Sequence, residues 1–157
     1  MNKNILSTDL RIELIKAAIK AASYAYAPFS NFKVGAALLT ESGEIYSGCN
    51  IENSSFGATI CAERTAIVKA VSEGYRSFTA IAIVSVSESS TASGSVADLG
   101  SAVDSEVLLV NQLTFPCGIC RQFMYEFMPN AQVIVSDLDF NYKVYSVSDL
   151  LPHGFRL

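Results

Sequence analysis

CAERTAIVKAVSEGYRSFTAIAIVSV, residues 61–86, decides the fold. Its first half reads as a helix from about 61 to 72, with Cys61 and Glu63 in the first turn and Gly74 placed as its C-cap. Its second half, Thr79 to Val86, is a run of apolar and small residues that reads as a buried strand. A helix followed directly by a buried strand is the repeating unit of layered α/β architectures.

Working outward, Ser7-Thr8-Asp9 offers N-cap residues, and Leu10, Leu14, Ala17, Ala18 and Ala21 follow at helical period. A first helix is expected over roughly 9 to 25, stopped by Pro28. Phe32 to Thr40 alternates too weakly for a half-exposed strand, and Val34, Ala36, Ala37, Leu38 and Leu39 predict burial on both faces. The turn Glu41-Ser42-Gly43 returns the chain as a second strand, Glu44 to Cys49, in a hairpin. Small residues at Gly35, Ala36 and Ala37 allow a helix to pack closely on that hairpin. Asn50-Ile51-Glu52-Asn53 follows at a strand end, where α/β proteins tend to place ligand-binding side chains.

Downstream of the buried strand, residues 87–105 change to Ser, Ala, Gly and acids. This segment reads as a surface insertion reaching to about 114, with a short strand at Val107 to Val110. A helix is expected from near Cys117 to before Pro129, strands at Gln132 to Ser136 and Tyr142 to Ser146, and a short last helix starting at Ser148 and stopped by Pro152. The order predicts an α/β fold: a three-layer α/β/α sandwich around a mixed five-stranded sheet with parallel pairs, spanning 1–157 as one domain.

Half of the residues are apolar, 17% are charged and the net charge is -4. Lys and Arg are scattered, so the basic face that binds nucleic acid is missing and no nucleic-acid partner is expected. No apolar stretch approaches the ~20 residues of a membrane helix, and residues 1–7 lack the apolar core of a signal peptide. A cytoplasmic location is expected, where thiols stay reduced. Four cysteines in such a chain point to metal or catalysis before disulfides.

Cys61 and Pro116-Cys117-Gly118-Ile119-Cys120 supply three thiols, and cysteine binds zinc as the thiolate. Three protein ligands on a tetrahedral ion leave one position open, as in catalytic zinc sites. Both groups fall at expected helix N-termini, where the helix dipole favours a thiolate. Arg64, three residues beyond Cys61, is placed to donate N–H groups to a thiolate and offset the charge that three sulfurs bring. Other readings stay open. The Cys117–Cys120 pair alone is compatible with a redox pair or half of a closed site. Cys49 is available as a fourth ligand, although a small buried thiol inside a strand is ordinary. His153, the sole histidine, reads as a surface residue.

The pattern resembles the signature of the zinc nucleobase deaminases in its three-cysteine form. The likeness extends to residues 26–38 (YAPFSNFKVGAAL), 48–53 (GCNIEN), 60–66 (ICAERTA), 116–122 (PCGICRQ) and Leu150-Leu151-Pro152. Together these resemble the small homotetrameric cytidine deaminases over nearly the whole chain outside about 87–114. The resemblance implies the cytidine deaminase-like fold and a zinc ion on Cys61, Cys117 and Cys120. It implies hydrolytic deamination of cytidine and deoxycytidine in pyrimidine salvage, with Glu63 as the proton shuttle. Asn50 and Glu52 would bind the ribose hydroxyls of a small-molecule nucleoside and Phe32 would pack on the pyrimidine. Phe155 would reach a neighbouring subunit's pocket, in a homotetramer.

Two features depart from the family: the long insertion, and Phe56 where an aromatic hydroxyl is common. Competing readings are a deaminase of another aminopyrimidine, such as a nucleoside antibiotic, and a zinc module with no catalysis. A third, deamination of bases within DNA or RNA, fits poorly with the acidic charge.

Overall fold

The computed structural model describes residues 6–87 and 113–157. The strand expected at 107–110, and all of the insertion but its two ends, lie outside the described residues.

Ser7 caps α1 (Thr8–Ala22), its hydroxyl accepting the Leu10 N–H at 3.2 Å. The helix ends three residues earlier than its apolar spacing suggests. The N–H groups of Ser23, Tyr24 and Ala25 turn back onto the carbonyls of Lys20, Ala21 and Ala22. Tyr26 has by then left the helix to bridge Ile51, donating to the Asn50 carbonyl and accepting from the Glu52 N–H. Pairing across the chain thus stops α1 before Pro28 is reached.

β1 (Phe32–Thr40) and β2 (Ile45–Cys49) form the expected hairpin, and β1 is buried from Val34 to Thr40. α2 (Ala62–Ser72) leads to β3 (Phe78–Ser87), and α3 (Gly118–Phe127) to β4 (Gln132–Ser136) and β5 (Tyr142–Ser146). The last turn, α4 (Val147–Leu150), starts one residue before its predicted position. Ser146 and Asp149 form a reciprocal capping box there.

The five strands form one mixed sheet in the order β2-β1-β3-β4-β5. Among the strands of the described residues only β3 and β4, joined through α3, are parallel, so there the parallel pairs expected from sequence reduce to one. Along β3, Ala80, Ala82 and Val84 pack with Leu14, Ile15 and Ala18 of α1. Ile81 and Ile83 point the other way, onto Ala66 and Ile67 of α2 and Met124 of α3. Two apolar slabs therefore enclose the sheet, giving the three-layer α/β/α sandwich.

Two glycines let the helices close on β1 and β2. A Cβ at Gly35 would lie 1.9 Å from the Ala18 carbonyl oxygen in α1. A Cβ at Gly48 would lie 2.5 Å from the Ala66 nitrogen and 2.7 Å from the Ala62 oxygen in α2. Gly48 thereby sets the height of α2, and with it Cys61 and Glu63, above the sheet.

Candidate active site

Cys61 and Cys117 are the N-cap residues of α2 and α3, with extended backbones and no side-chain bond to their own helices. A serine there would turn its oxygen onto the helix N–H groups. The sulfurs instead meet between the two helices, Cys61 Sγ and Cys117 Sγ being 3.8 Å apart. Cys120, one turn into α3 and fully buried, completes a group whose three Sγ atoms lie within 4.8 Å of one another.

That spacing can be tested against zinc. Zn–S bonds of about 2.3 Å at tetrahedral angles place two sulfurs about 3.8 Å apart. The Cys61–Cys117 separation meets this, and with Cys120 Sγ within 4.8 Å of both the three thiols form a group able to hold one zinc ion. Without a cation the protons divide unequally. Hydrogen bonding from Cys120, and also from Arg64 and Cys117, draws the Cys61 thiol down to about 5. The Cys120 thiol moves the opposite way, because it bonds to Cys61 and is buried beside Glu63. Bringing three thiolates together needs a compensating positive charge.

Arg64 provides part of it. One Nη2 donates to the Thr59 carbonyl at 2.8 Å and reaches Cys61 Sγ at 3.7 Å. The carbonyl holds the guanidinium against the thiol.

Cys49 is not in the sulfur group. Gly48 faces α2, so Cys49, the next residue along β2, faces the α1 side of the sheet. His153 is likewise outside the group and exposed.

Glu63 lies in the first turn of α2 and is 4% exposed. Burial raises its carboxyl to about 7, against the lowering by its own backbone N–H, and the neighbouring Cys61 charge raises it further. A carboxyl titrating there can take and return a proton at neutral pH.

Asn50 is buried at the end of β2 and stitches it to β1. Its Oδ1 accepts the Val34 N–H at 2.8 Å, and its Nδ2 donates to the Phe32 carbonyl at 2.8 Å. Glu52 turns toward the loop between α1 and β1, where its Oε2 accepts the N–H groups of Phe29 at 2.8 Å and Ser30 at 3.3 Å. Phe32 begins β1 half-exposed, and Phe56 lies open with its ring edge on Phe29 at 5.7 Å.

Phe155 is exposed in the tail. Its carbonyl accepts from Gln122 Nε2 of α3 at 3.1 Å. Arg121 binds the Pro116 carbonyl at 2.8 Å and the Leu150 carbonyl at 3.0 Å, tying the entry of α3 to the end of α4. Sequence reasoning gave Arg121, Gln122 and Ser30 no role. Arg121 and Gln122 bind backbone carbonyls, and the Ser30 hydroxyl meets the Glu52 carboxylate and the Phe32 N–H, pairings that no local pattern announces.

Comparison with known proteins agrees with this geometry. Residues 9–136 match the family model described as "Cytidine and deoxycytidylate deaminase zinc-binding region". The chain is 43% identical to a cytidine deaminase of Sporosarcina psychrophila over 91% of its length and 89% of the relative's. It is 31% identical to a blasticidin-S deaminase of Bacillus cereus, over 95% of this chain and 93% of that one. Among solved structures, a cytidine deaminase from Burkholderia pseudomallei superposes with a TM-score of 0.75 at 38% identity, covering 96% of this chain and 100% of that one. The two helix ends that bring three thiols to one point, with a buried carboxyl beside them, thus lie within a matched region covering most of the chain, and the chain belongs to the cytidine and deoxycytidylate deaminase zinc-binding family.

Proposed function

We propose that this chain hydrolyses cytidine and deoxycytidine to uridine and deoxyuridine with release of ammonia, in pyrimidine salvage. The observation that carries the reading is the buried Glu63 carboxyl beside three thiols gathered at one point. Zinc held by Cys61, Cys117 and Cys120 would act as a Lewis acid and lower the pKa of a bound water.

The chain's own part is proton transfer and positioning. Glu63 takes a proton from the attacking water and delivers it to N3 of the pyrimidine while the water oxygen bonds to C4. It then passes the second water proton to the 4-amino nitrogen. The C4–N bond breaks, ammonia leaves, and the ring carbonyl of uridine remains. Arg64 keeps the Cys61 sulfur in its ionised form by charge and contact. Asn50 and Glu52 bind the ribose hydroxyls, and Phe32 packs on the ring.

The active form is a homotetramer in the cytoplasm, each chain a single domain. Exposed apolar side chains support subunit contacts: Phe56 is 75% exposed, Phe155 67% and Ile119 65%. Phe155 would enter a neighbour's pocket. Among the described residues no helix is long and apolar enough to cross a membrane.

The test follows the ultraviolet change as purified protein loses the 4-amino group of cytidine, with Glu63→Ala alongside. Turnover by the wild type, and a loss of several orders of magnitude in a zinc-loaded Glu63→Ala, are expected. A mutant with near-normal turnover would sink the assignment of Glu63. The relative named a blasticidin-S deaminase favours a second reading, deamination of another aminopyrimidine nucleoside. A folded, zinc-containing wild type that leaves cytidine intact but deaminates blasticidin S would establish it.

A further inference from the structure

Ser30 lies exposed in the loop before β1, and its hydroxyl joins two of the groups assigned to substrate binding. We propose that Ser30 is a positioning residue that fixes the substrate-facing oxygen of Glu52 and thereby sets discrimination among ribose hydroxyls. The proposal rests on the nucleoside deaminase reading above.

The hydrogen bonds leave little freedom. Glu52 Oε2 already accepts two backbone N–H groups, from Phe29 and Ser30. Oε1 accepts the Ser30 hydroxyl. A hydroxyl has one proton, and here it goes to the carboxylate. Its oxygen then accepts the Phe32 N–H at 3.0 Å, which fixes the hydroxyl's direction. Oε1 retains acceptor capacity for a ligand hydroxyl, whereas Oε2 is filled. Ser30 therefore holds the oxygen that remains open. The same Ser30 atom also holds the backbone of Phe32, so the ribose grip and the ring contact share one reference point. The Ser30 hydroxyl, and after it the Phe29 N–H, keep the Glu52 carboxyl below the ordinary carboxylate range, so it accepts rather than donates.

The experiment measures kcat and KM of the zinc-loaded wild type, Ser30→Ala and Ser30→Thr on cytidine, 2′-deoxycytidine and 3′-deoxycytidine. Loss of a hydrogen bond to a charged group should raise the KM of Ser30→Ala for cytidine about tenfold, with kcat within about twofold. The penalty should shrink to under about twofold on the deoxynucleoside that lacks the hydroxyl Glu52 accepts. Ser30→Thr keeps the hydroxyl and should return the KM to within about threefold of wild type.

A purely structural role would move all three substrates alike. Equal penalties on the three nucleosides, an unchanged KM for cytidine, or a threonine variant as poor as alanine would each overturn the assignment of Ser30. A wild type that turns over none of the three would remove the deaminase reading itself, and the proposal with it.

Discussion

Replacing Gly48 by alanine should disable the site from outside it. The added Cβ would stand 2.5 Å from the Ala66 nitrogen and 2.7 Å from the Ala62 oxygen, both helix backbone, and 2.8 Å from the Thr65 Cβ. Ordinary contact begins near 3.4 Å, so α2 must retreat by up to about 0.9 Å, because β2 is held in register by β1. Cys61 caps α2 and Glu63 sits in its first turn, so both move with it, while Cys117 and Cys120 stay on α3. Overpacking of this kind costs about 1–3 kcal/mol, or about 2 to 12 °C in Tm for a chain of this length. The larger effect falls on function. A misplacement near 1 Å costs about a hundredfold in kcat, and zinc affinity should fall at least about tenfold. The assay is competition for zinc against a chelator, with kcat on cytidine and a thermal melt. Leu14→Ala is the control. It empties space under α1, on the opposite face of the sheet, and should cost about 2–5 kcal/mol while sparing zinc affinity and kcat. A Gly48→Ala protein that melts lower but keeps wild-type zinc affinity and kcat would refute the view that Gly48 sets the height of the site.

Three further outcomes follow from the charges around the thiols. Burial raises Glu63 from 4.5 to about 7, so the metal-free native state holds a proton there that the unfolded chain has released. Its contribution is full below about 4.5 and is lost as pH rises to about 7, on the order of 3 kcal/mol. Cys61 works in the opposite sense above about 5, so the informative quantity is wild type minus Glu63→Gln in metal-free denaturation at several pH values. A flat difference between pH 4.5 and 7 would contradict the burial argument. Stripping zinc should expose Cys61 as a thiolate at pH 7, alkylated by iodoacetamide at least about tenfold faster than Cys49, whose thiol burial pushes up. Peptide mapping by mass spectrometry reads this, and zinc should suppress the Cys61 product. Arg64→Ala should weaken zinc binding about 10–100-fold, read by the same chelator competition.

The features legible in sequence were those whose physics is local. Cys61 and Cys117 stand one residue before amphipathic runs, at the cap position, and a thiol at a cap is free to face outward. Val34 to Leu39 carries small and branched apolar residues throughout, and it is buried on both faces. The end of α1 was not legible, because the bridge of Tyr26 to Ile51 joins segments 25 residues apart in the chain. That β3 and β4 are the one parallel pair among the described strands was hidden for the same kind of reason. The alternation of helix and strand does not say that β1 lies antiparallel between β2 and β3.

Asn50 and Glu52 raise a sharper point. From sequence, each offers two readings, a polar turn at a strand end or a grip on ribose. The structure makes them compatible. An amide has two lone pairs and two N–H groups. Asn50 spends one of each on the Val34 N–H and the Phe32 carbonyl, and one of each remains for a ligand. Glu52 spends Oε2 on the backbone and keeps capacity on Oε1. The bonds that stitch β2 to β1 are thus the bonds that hold the remaining polar atoms in place before any ligand arrives. Side chains so held lose little entropy when a ligand binds. A residue type that looks merely structural at a strand end can therefore be the condition for recognition there, and the Ser30 hydroxyl, bonded to the Glu52 carboxylate, supports the same arrangement.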